Sequence, residues 1–279
     1  MSGDVSKLKG RTREGLENGH HADTFFVLYL LVLFGLVVLG FSPTFFFRIL
    51  VEDPLPLTVS LVVHGVILTG WFALLVAQAL LVRGGNRSLH RRVGWFGVGF
   101  SVVVVAGALL APLMRVRRLV AMGATLDMDI AQVMALEAGR NLQEVNSQVT
   151  PAGITAIEAM STQMWGFVVS LTGFAVLFGG AILYRRRPDV HKRLVALSSL
   201  LLILPAISRI SRYPVLGGEG GPFTTLVVLA LVGAVMFYDQ ATRGRIHVAT
   251  VAGGLVVLAE RLLPIGESSF WQPLFRLMI

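Results

Sequence analysis

The chain of 279 residues is long enough for one or two soluble domains, but its composition excludes them. Hydrophobic residues make up 54% of the chain and charged residues only 14%, whereas a soluble surface needs roughly a quarter of all residues charged. The mean hydropathy of +0.74 indicates a protein dissolved in lipid. There is no cysteine, which excludes disulfides, thiolate metal sites and cysteine nucleophiles.

The net charge of +8 does not indicate a nucleic-acid partner, because the basic residues stand in short clusters between apolar runs. Such clusters orient a membrane protein and contact anionic lipid headgroups. The expected partners are therefore membrane lipids, together with a larger membrane complex or further copies of the chain.

The sequence predicts an all-α, polytopic transmembrane bundle of about seven spans over residues 24–263. A hydrocarbon core of about 30 Å needs about 20 apolar residues per helix, and lipid offers no partner to unpaired backbone groups. The fifth and sixth predicted spans are the shortest. A polar tail, 1–23, precedes the bundle and a tail, 264–279, follows it. The predicted spans are Thr24–Phe41, Leu57–Val82, Val93–Met114, Met164–Tyr184, Leu194–Ile210, Phe223–Tyr238 and Val248–Leu263.

Loop charge predicts the orientation. The N-terminal tail and the loops within 83–92, 185–193 and 243–245 carry most of the basic residues, and seven spans place all four on one side. The positive-inside rule assigns that side to the cytoplasm of a bacterial inner membrane, with the C-terminus outside. The arginines at 115, 117 and 118 fall on the outer side and do not follow the rule.

One long connection, about 115–163, lies on the predicted outer side. Its centre, Leu119–Ala138, has apolar positions at helical spacing with acidic residues between them. This pattern predicts an amphipathic helix on the outer face. Six of the nine methionines fall between Met114 and Met164, which leaves copper(I) binding and ordinary packing open as interpretations.

Three polar side chains of the second helix, His64, Trp71 and Gln78, are spaced by seven and share one face. Polar groups in hydrocarbon are costly, so this face is expected to point into the bundle. Two interpretations remain open. The stripe is either a path for a ligand, proton or cofactor, or a set of interhelical hydrogen bonds that locks the bundle.

Three histidines stand where a basic loop leads into the next helix: His90, His191 and His247. Imidazole binds haem iron, copper and zinc, and ligands at one depth on separate helices suit a membrane metal site. We therefore treat these three, and His64 with an unidentified partner, as candidate cofactor ligands, with b-type haem as one possibility. The alternative is that the three are interfacial anchors like the arginines beside them.

Arginines near the outer side suggest an anion site for carboxylate, propionate or phosphate groups. The candidates are Arg115, Arg118, Arg209 and Arg212. Snorkelling of these side chains to outer headgroups is the alternative. Asp239, at the inner rim, is expected to pair with Arg243 or Arg245.

The chain lacks the sequence signatures of phosphate-binding loops, zinc proteases and serine hydrolases, and no carboxylate is expected to be buried in the middle of a span. The sequence therefore predicts a non-enzymatic accessory, assembly or structural subunit of a membrane complex. A cofactor-binding membrane protein is the first alternative, and a small-solute transporter that uses the His64 face is the second.

A set of motifs resembles a family of uncharacterised bacterial multi-pass inner-membrane proteins. The family pattern is His-Gly, Trp, Gln and His-Arg-x-x-Gly, and the likeness covers about 41–252. The matching residues are His64-Gly65, Trp71, Gln78 and His90-Arg91-Arg92-Val93-Gly94, followed by His191-Lys192-Arg193-Leu194, Tyr238-Asp239 and Thr242-Arg243. The resemblance implies a membrane bundle and carries no activity to transfer.

Overall fold

The computed structural model describes residues 24–51, 57–125, 127–137, 151–211, 213, 220–262 and 268–277, together with 139, 141, 143, 144 and 146. Within these residues the chain forms helices and no strand. Five of the described helices are long and apolar enough to cross a membrane, and two more apolar helices are shorter. The chain is therefore an all-α, multi-pass membrane protein.

The five long apolar helices are α2, α3, α5, α6 and α7, and the shorter apolar pair is α1 and α8. The helices are α1 (Thr24–Gly40), α2 (Val59–Arg83), α3 (Arg87–Ala121), α4 (Ile130–Glu137), α5 (Ala156–Leu183), α6 (Pro188–Ile210), α7 (Gly220–Arg243), α8 (Val248–Leu262) and α9 (Gln272–Arg276). A π-helical turn, Ser42–Phe46, and a 3-10 turn, Arg48–Leu50, follow α1, and a 3-10 turn, Ser268–Trp271, precedes α9.

Three short turns join α2 to α3, α5 to α6 and α7 to α8. After α2 the chain reverses at Gly85, whose φ of 77° is rare for residues with a side chain. α3 begins after Asn86, whose side-chain oxygen accepts the N–H of Leu89. Pro188 stands in the first turn of α6, where a missing N–H costs little. Gly244, with a φ of 67°, follows α7. Each pair is therefore an antiparallel hairpin.

The three hairpin turns, residues 84–86, 184–187 and 244–247, lie together at what we name the basic end of the bundle. The rings of His90 and His191, which follow the first two turns, lie close together. Asp189, after the second turn, bonds to His247 in the third. The opposite end, where α3 finishes and α5 starts, is named the distal end.

α6 is the central helix of the bundle. It packs against α5, α7 and α8, and 67% of its apolar stretch is buried, compared with 22% for α2 and α3. Leu197, Leu200, Ile203 and Ile207 on α6 are fully buried and follow the spacing of one helix face. The peripheral helices expose apolar side chains such as Trp95 on α3, as expected for a lipid-facing surface.

α1 runs from the basic end to the distal end beside α6 and α7. Near the basic end, Phe25 stacks on Tyr238 of α7 with ring centroids 4.2 Å apart. At the distal end, Gly40 lies against the backbone of Ala206 in α6, where an added Cβ would stand 2.3 Å from the carbonyl oxygen. Only glycine fits this contact, so Gly40 sets how closely α1 approaches α6.

α3 and α5 are longer than the hydrocarbon core of a membrane is thick. Their 35 and 28 residues extend about 52 and 42 Å, compared with a hydrocarbon core of about 30 Å. Their distal ends join α4 and α9 in a second apolar core, and we name residues 113–125, 127–137, 151–165 and 268–277 the distal lobe. Its buried residues are Val116, Leu119, Ala124, Val133, Leu136, Ala156, Ile157, Met160, Met164 and Phe275.

A single carboxylate organises the connection between α4 and α5. Asp129 accepts the backbone N–H groups of Ala131 (2.8 Å), Ala152 (2.9 Å) and Gly153 (2.7 Å). These bonds favour the ionised form, so the pKa of Asp129 lies below its usual 3.8, with the bond from Ala152 as the largest cause. α5 then begins with a capping box in which Thr155 and Glu158 satisfy each other's backbone N–H groups.

The structure corrects several sequence-based boundaries. The predicted short fifth and sixth spans are full helices, α6 and α7, because their polar first or last turns had been assigned to loops. The predicted amphipathic helix Leu119–Ala138 is interrupted: α3 continues to Ala121, Gly123 takes a φ of 84°, and α4 starts at Ile130. The predicted position of this helix on the membrane surface is not confirmed, since α4 buries Val133 in the distal lobe.

The predicted C-terminal tail, 264–279, contains ordered helix within its described part. Phe275 of α9 is fully buried in the distal lobe, and Arg276 bonds to Asp127 at 3.0 Å. The predicted N-terminal tail, 1–23, lies outside the described residues.

Gly40→Ala is expected to lower thermal stability, because the new methyl group would overlap the backbone of Ala206. Overpacking of this kind costs about 1–3 kcal/mol. The measurement is the melting temperature of detergent-purified protein by fluorescence-detected size-exclusion chromatography. Gly35→Ala on the same helix is the control, because an added Cβ at Gly35 meets no atom within 4 Å. Equal melting temperatures for the two variants would contradict the tight α1–α6 contact.

Asp129→Ala is expected to speed hydrogen exchange at the amides of Ala152 and Gly153, since it removes their acceptor. Asp127→Ala, which removes a partner only from exposed Arg276, serves as the control and leaves those two amides protected. Because the pKa of Asp129 is lowered by folding, its contribution is present above pH 3.8 and is lost as the pH falls through the lower folded value. Unchanged exchange in Asp129→Ala would show that other contacts hold the connection.

Candidate functional site

Two of the three loop histidines meet at the basic end. His90 lies in the first turn of α3 and His191 in the first turn of α6. Their ring centroids are 6.4 Å apart, and the ring planes are nearly perpendicular at 85°. Both rings are partly buried. The sequence predicted that the two histidines lie at one membrane depth, and in the structure their rings lie side by side.

His191 is oriented by the helix that precedes it. Its Nδ1 lies 2.8 Å from the backbone oxygen of Ala181 in the last turn of α5. A carbonyl can only accept, so Nδ1 carries the proton of the neutral ring and Nε2 keeps its lone pair. The ring therefore presents Nε2 as a hydrogen-bond acceptor or a metal ligand.

His90 is held by Gln78 across the first hairpin. Its Nδ1 lies 3.3 Å from the backbone oxygen of Gln78, and the side-chain amide of Gln78 also contacts this nitrogen. In one amide orientation, Gln78 donates to Nδ1 and accepts the N–H of Gly94. The opposite orientation would set the amide nitrogen against the N–H of Gly94, so the satisfied arrangement has Gln78 donating to Nδ1. These contacts explain the Gln, His and Gly spacing of the motif.

His247 lies in a different set of contacts. Its Nδ1 accepts the backbone N–H of Ala249 at 3.0 Å, so its neutral form carries a proton on Nε2, which lies 3.2 Å from Asp189. Both ring nitrogens are engaged. The structure thus brings together His90 and His191 but gives His247 separate partners.

A buried ion pair and the hydrogen bonds to its carboxylate join α6, α7 and α8 at the basic end. Arg193 on α6 is 1% exposed and Asp239 on α7 is fully buried, and they form a salt bridge. Asp239 also accepts the hydroxyl of Thr250 and the backbone N–H of His247 at 3.0 Å. The expected pairing of Asp239 with Arg243 or Arg245 is wrong, since Asp239 pairs with Arg193 and Arg243 lies 3.8 Å from Asp189.

The predicted polar stripe of α2 points toward neighbouring helices. Trp71 is fully buried among Phe100, Phe174 and Phe178, and its indole N–H has no hydrogen-bond partner among the described residues. The Nδ1 of His64 is likewise buried and without a bonded partner in the described part of the chain. Three aromatic rings fill the space around Trp71, so tight packing surrounds the middle of the predicted ligand path.

One titratable residue of an apolar helix was missed by the sequence interpretation. Glu260 of α8 accepts the hydroxyl of Ser170 in α5 at 3.0 Å. Ser170 lies about 20 Å along α5 from its basic end, at 1.5 Å per residue. Glu260 stands in the last turn of α8, so it does not bear on the expectation that no carboxylate is buried in the middle of a span. A carboxylate on an apolar helix is costly to bury and needs polar partners such as Ser170.

The candidate anion-site arginines lie in different surroundings. Arg115 forms a bidentate pair with Glu137 at 2.8 and 2.9 Å and bonds to Gln163 at 3.3 Å, so it braces the distal lobe. Arg118 is in the last turn of α3 and is partly buried. Arg209, near the end of α6, lies over the ring of Phe41. Arg212 lies outside the described residues.

Metal-binding groups of three or more His, Asp or Glu side chains do not occur among the described residues. The methionines that the sequence singled out are partly used for packing, since Met160 and Met164 are buried in the distal lobe and Met128 sulfur accepts the N–H of Thr125.

Comparison of the chain with protein-family models, with curated proteins and with solved structures found no match.

Arg193→Met is expected to destabilise the protein by about 3–5 kcal/mol, because it leaves Asp239 charged and unpaired in the bundle. Adding Asp239→Leu to this variant is expected to recover much of the loss, since both charges are then absent. The measurement is the melting temperature in detergent. Arg186→Met, on an exposed side chain of the same turn, is the control and should leave stability unchanged. A double variant no more stable than Arg193→Met would contradict the charge argument.

Proposed function

We propose that all seven apolar helices, including α1 and α8, cross the inner membrane of a bacterium. The basic end faces the cytoplasm and the distal lobe lies outside. The support is the concentration of arginine beside the three hairpin turns, together with the course of α1 from one end of the bundle to the other.

Within this arrangement, we propose that the protein binds a transition-metal centre at the basic end and acts by binding, with no catalytic role of its own. His90 and His191 are the proposed ligands. The observation that carries the proposal is the 6.4 Å between their ring centroids. Metal–nitrogen bonds of about 2.0–2.1 Å, with roughly 1.2 Å from a ring nitrogen to the ring centre, place two opposed imidazoles about 6.5 Å apart.

Hydrogen bonds to the other ring nitrogen support this assignment. A ligating histidine usually donates its second N–H to a carbonyl or carboxylate, which fixes the ring and raises its basicity. Ala181 offers such a carbonyl to His191, and the backbone oxygen of Gln78 lies 3.3 Å from Nδ1 of His90. His247 does not share this role, because both of its nitrogens already bond to protein groups.

The number of protein ligands favours haem iron among transition-metal centres. A bare ion held by two histidines would have to complete its coordination with water, whereas a haem would need only two ligands from the protein, which His90 and His191 would supply. We therefore propose b-type haem as the first candidate and a bare divalent ion as the second.

The test is purification from membranes, followed by an absorption spectrum and elemental analysis. We expect a Soret band with about one iron per chain, or about one bound divalent ion without that band. His90→Ala and His191→Ala should each reduce bound metal at least tenfold, in line with the loss of a direct ligand.

His247→Ala is the matched control, because this histidine occupies the same end of the bundle but has engaged nitrogens. It should retain the metal content of the unmodified chain. A purified protein with neither a Soret band nor bound metal would remove the proposal, and so would equal metal content in all three variants.

A second candidate is an accessory or assembly subunit of a membrane complex. The distal lobe favours it, because this lobe exposes large apolar side chains beyond the long spans, including Met134 (53%), Phe270 (63%) and Leu277 (85%). The proposed partner surface is the apolar face of another membrane-protein chain. Blue-native electrophoresis after mild extraction should show a complex larger than the chain, and Phe270→Ser should weaken it. Migration only as a monomer would count against this candidate.

A further inference from the structure

Three exposed arginines and an exposed tryptophan lie close together at the basic end, beside α3 and α5. Trp95 lies in the third turn of α3, and Arg91 and Arg92 precede it by four and three residues. Residues at these spacings are neighbours on the surface of a helix. Arg185, in the turn after α5, places its guanidinium carbon 5.6 Å from the centre of the Trp95 ring. We name Arg91, Arg92, Trp95 and Arg185 the α3–α5 cluster.

The guanidinium of Arg185 is held in place by two contacts. Its Nη1 donates to the backbone oxygen of Ile182, in the last turn of α5, at 3.1 Å. Its position over the ring of Trp95 is a cation–π contact between two helices. Arginine has five N–H donors, and the bond to Ile182 uses one of them. Arg185 is therefore a positioned cation that keeps donors for the oxygens of an external anion.

The helices beside the cluster supply no carboxylate to neutralise it. The stretch 57–125, which contains α2 and α3, has no aspartate or glutamate, and the acidic residue of α5, Glu158, lies at the distal end of that helix. Near the hairpin turns, within the described residues, Asp189 bonds to His247 and Asp239 is paired with Arg193. The cluster therefore carries positive charge that an anion from outside the chain can balance.

Apolar side chains adjoin the cluster where the helices enter the membrane. Trp95 and Phe96 on α3 and Leu183 at the end of α5 are each more than half exposed. Because α3 and α5 are long and apolar enough to cross a membrane, this exposed surface suits contact with acyl chains. Tryptophan is enriched at the level of the lipid headgroups. The combination of cations with adjoining apolar surface favours a lipid over a soluble anion.

We propose that the α3–α5 cluster binds the phosphate group of an anionic phospholipid. Arg185 and Arg92 donate to the phosphate oxygens, which suit the planar donors of a guanidinium, and Trp95 positions Arg185. The site differs from the general attraction of basic loops to anionic headgroups, because two contacts hold Arg185 in place. It requires a chain that crosses the membrane, but it depends neither on a metal at the histidine pair nor on which side the basic end faces.

The test is native mass spectrometry of the full chain, purified in neutral detergent and titrated with phosphatidylglycerol, with the first binding event quantified. Arg185→Gln and Arg92→Gln should each weaken this event about fivefold, as expected for loss of one cation near a headgroup. Arg185→Lys should recover only part of the affinity, because lysine keeps the charge but not the planar donors. Trp95→Leu keeps an apolar side chain but removes the ring under Arg185, and should weaken binding about threefold.

Arg245→Gln is the matched control, since Arg245 is an exposed arginine of the third hairpin turn and lies outside the cluster. Its affinity should stay within about twofold of that of the unmodified chain. Losses as large for Arg245→Gln as for Arg185→Gln would overturn the proposal, because they indicate a general attraction of cations to anionic lipid. If Arg185→Gln does not fold, Arg92→Gln and Trp95→Leu are compared with Arg245→Gln in the same way.

A second arm separates lipid from free anion. Phosphatidylcholine, which has a phosphate but no net charge, should bind the unmodified chain at least about fivefold more weakly than phosphatidylglycerol. Inorganic phosphate at millimolar concentration should leave bound phosphatidylglycerol in place. Displacement of the lipid by inorganic phosphate would identify a site for free anions and refute the lipid assignment, and so would equal binding of the two lipids.

Discussion

The buried salt bridge between Arg193 and Asp239 is the contact on which the basic end depends. Two full charges in a lipid-dissolved bundle are costly unless each is bonded, and here Asp239 also accepts Thr250 and the backbone of His247. This arrangement joins α6, α7 and α8 at one point. α6 also packs against α5, so the position of His191 one turn along α6 is set by the same framework.

Hydrogen bonds divide the histidines of the basic end into different roles. A ring with both nitrogens bonded to protein, as in His247, is a structural link between Asp189 and the start of α8. A ring with one nitrogen on a backbone carbonyl, as in His191, keeps the lone pair of its other nitrogen available. His90 differs from both, because its Nδ1 contacts both the backbone oxygen and the side-chain amide of Gln78. The three residues look alike in sequence, and only their partners distinguish them.

Much of the fold follows from the sequence because hydropathy and loop charge act locally. The apolar runs located every long helix, and the position of each loop histidine at a helix start was correct. The boundaries were less accurate, because polar first turns such as Pro188–Arg193 belong to the helix when the residues are capped or paired. The distal lobe could not be predicted from the sequence, since its core joins α3, α4 and α5 to Phe275 near the C-terminus.

The candidate site was predictable only in part. Spacing placed His64, Trp71 and Gln78 on one face, but it could not reveal that three phenylalanines surround Trp71. The sequence predicted that His90 and His191 lie at one membrane depth. It could not predict that their rings lie side by side, because that depends on the contact between two hairpins. Asp239 was assigned the nearest arginines in sequence, whereas a buried carboxylate pairs with the cation that is nearest in space.

The length of α3 has a mechanical consequence. α3 is continuous from His90 at the basic end to Val116 in the core of the distal lobe. The two residues lie about 39 Å apart along the helix at 1.5 Å per residue. Pro112 removes one backbone hydrogen bond where α3 leaves the bundle, so α3 bends most readily at this residue. A force that tilts α3 between His90 and Pro112 therefore moves the imidazole of His90. A force that only bends α3 at Pro112 leaves the imidazole in place.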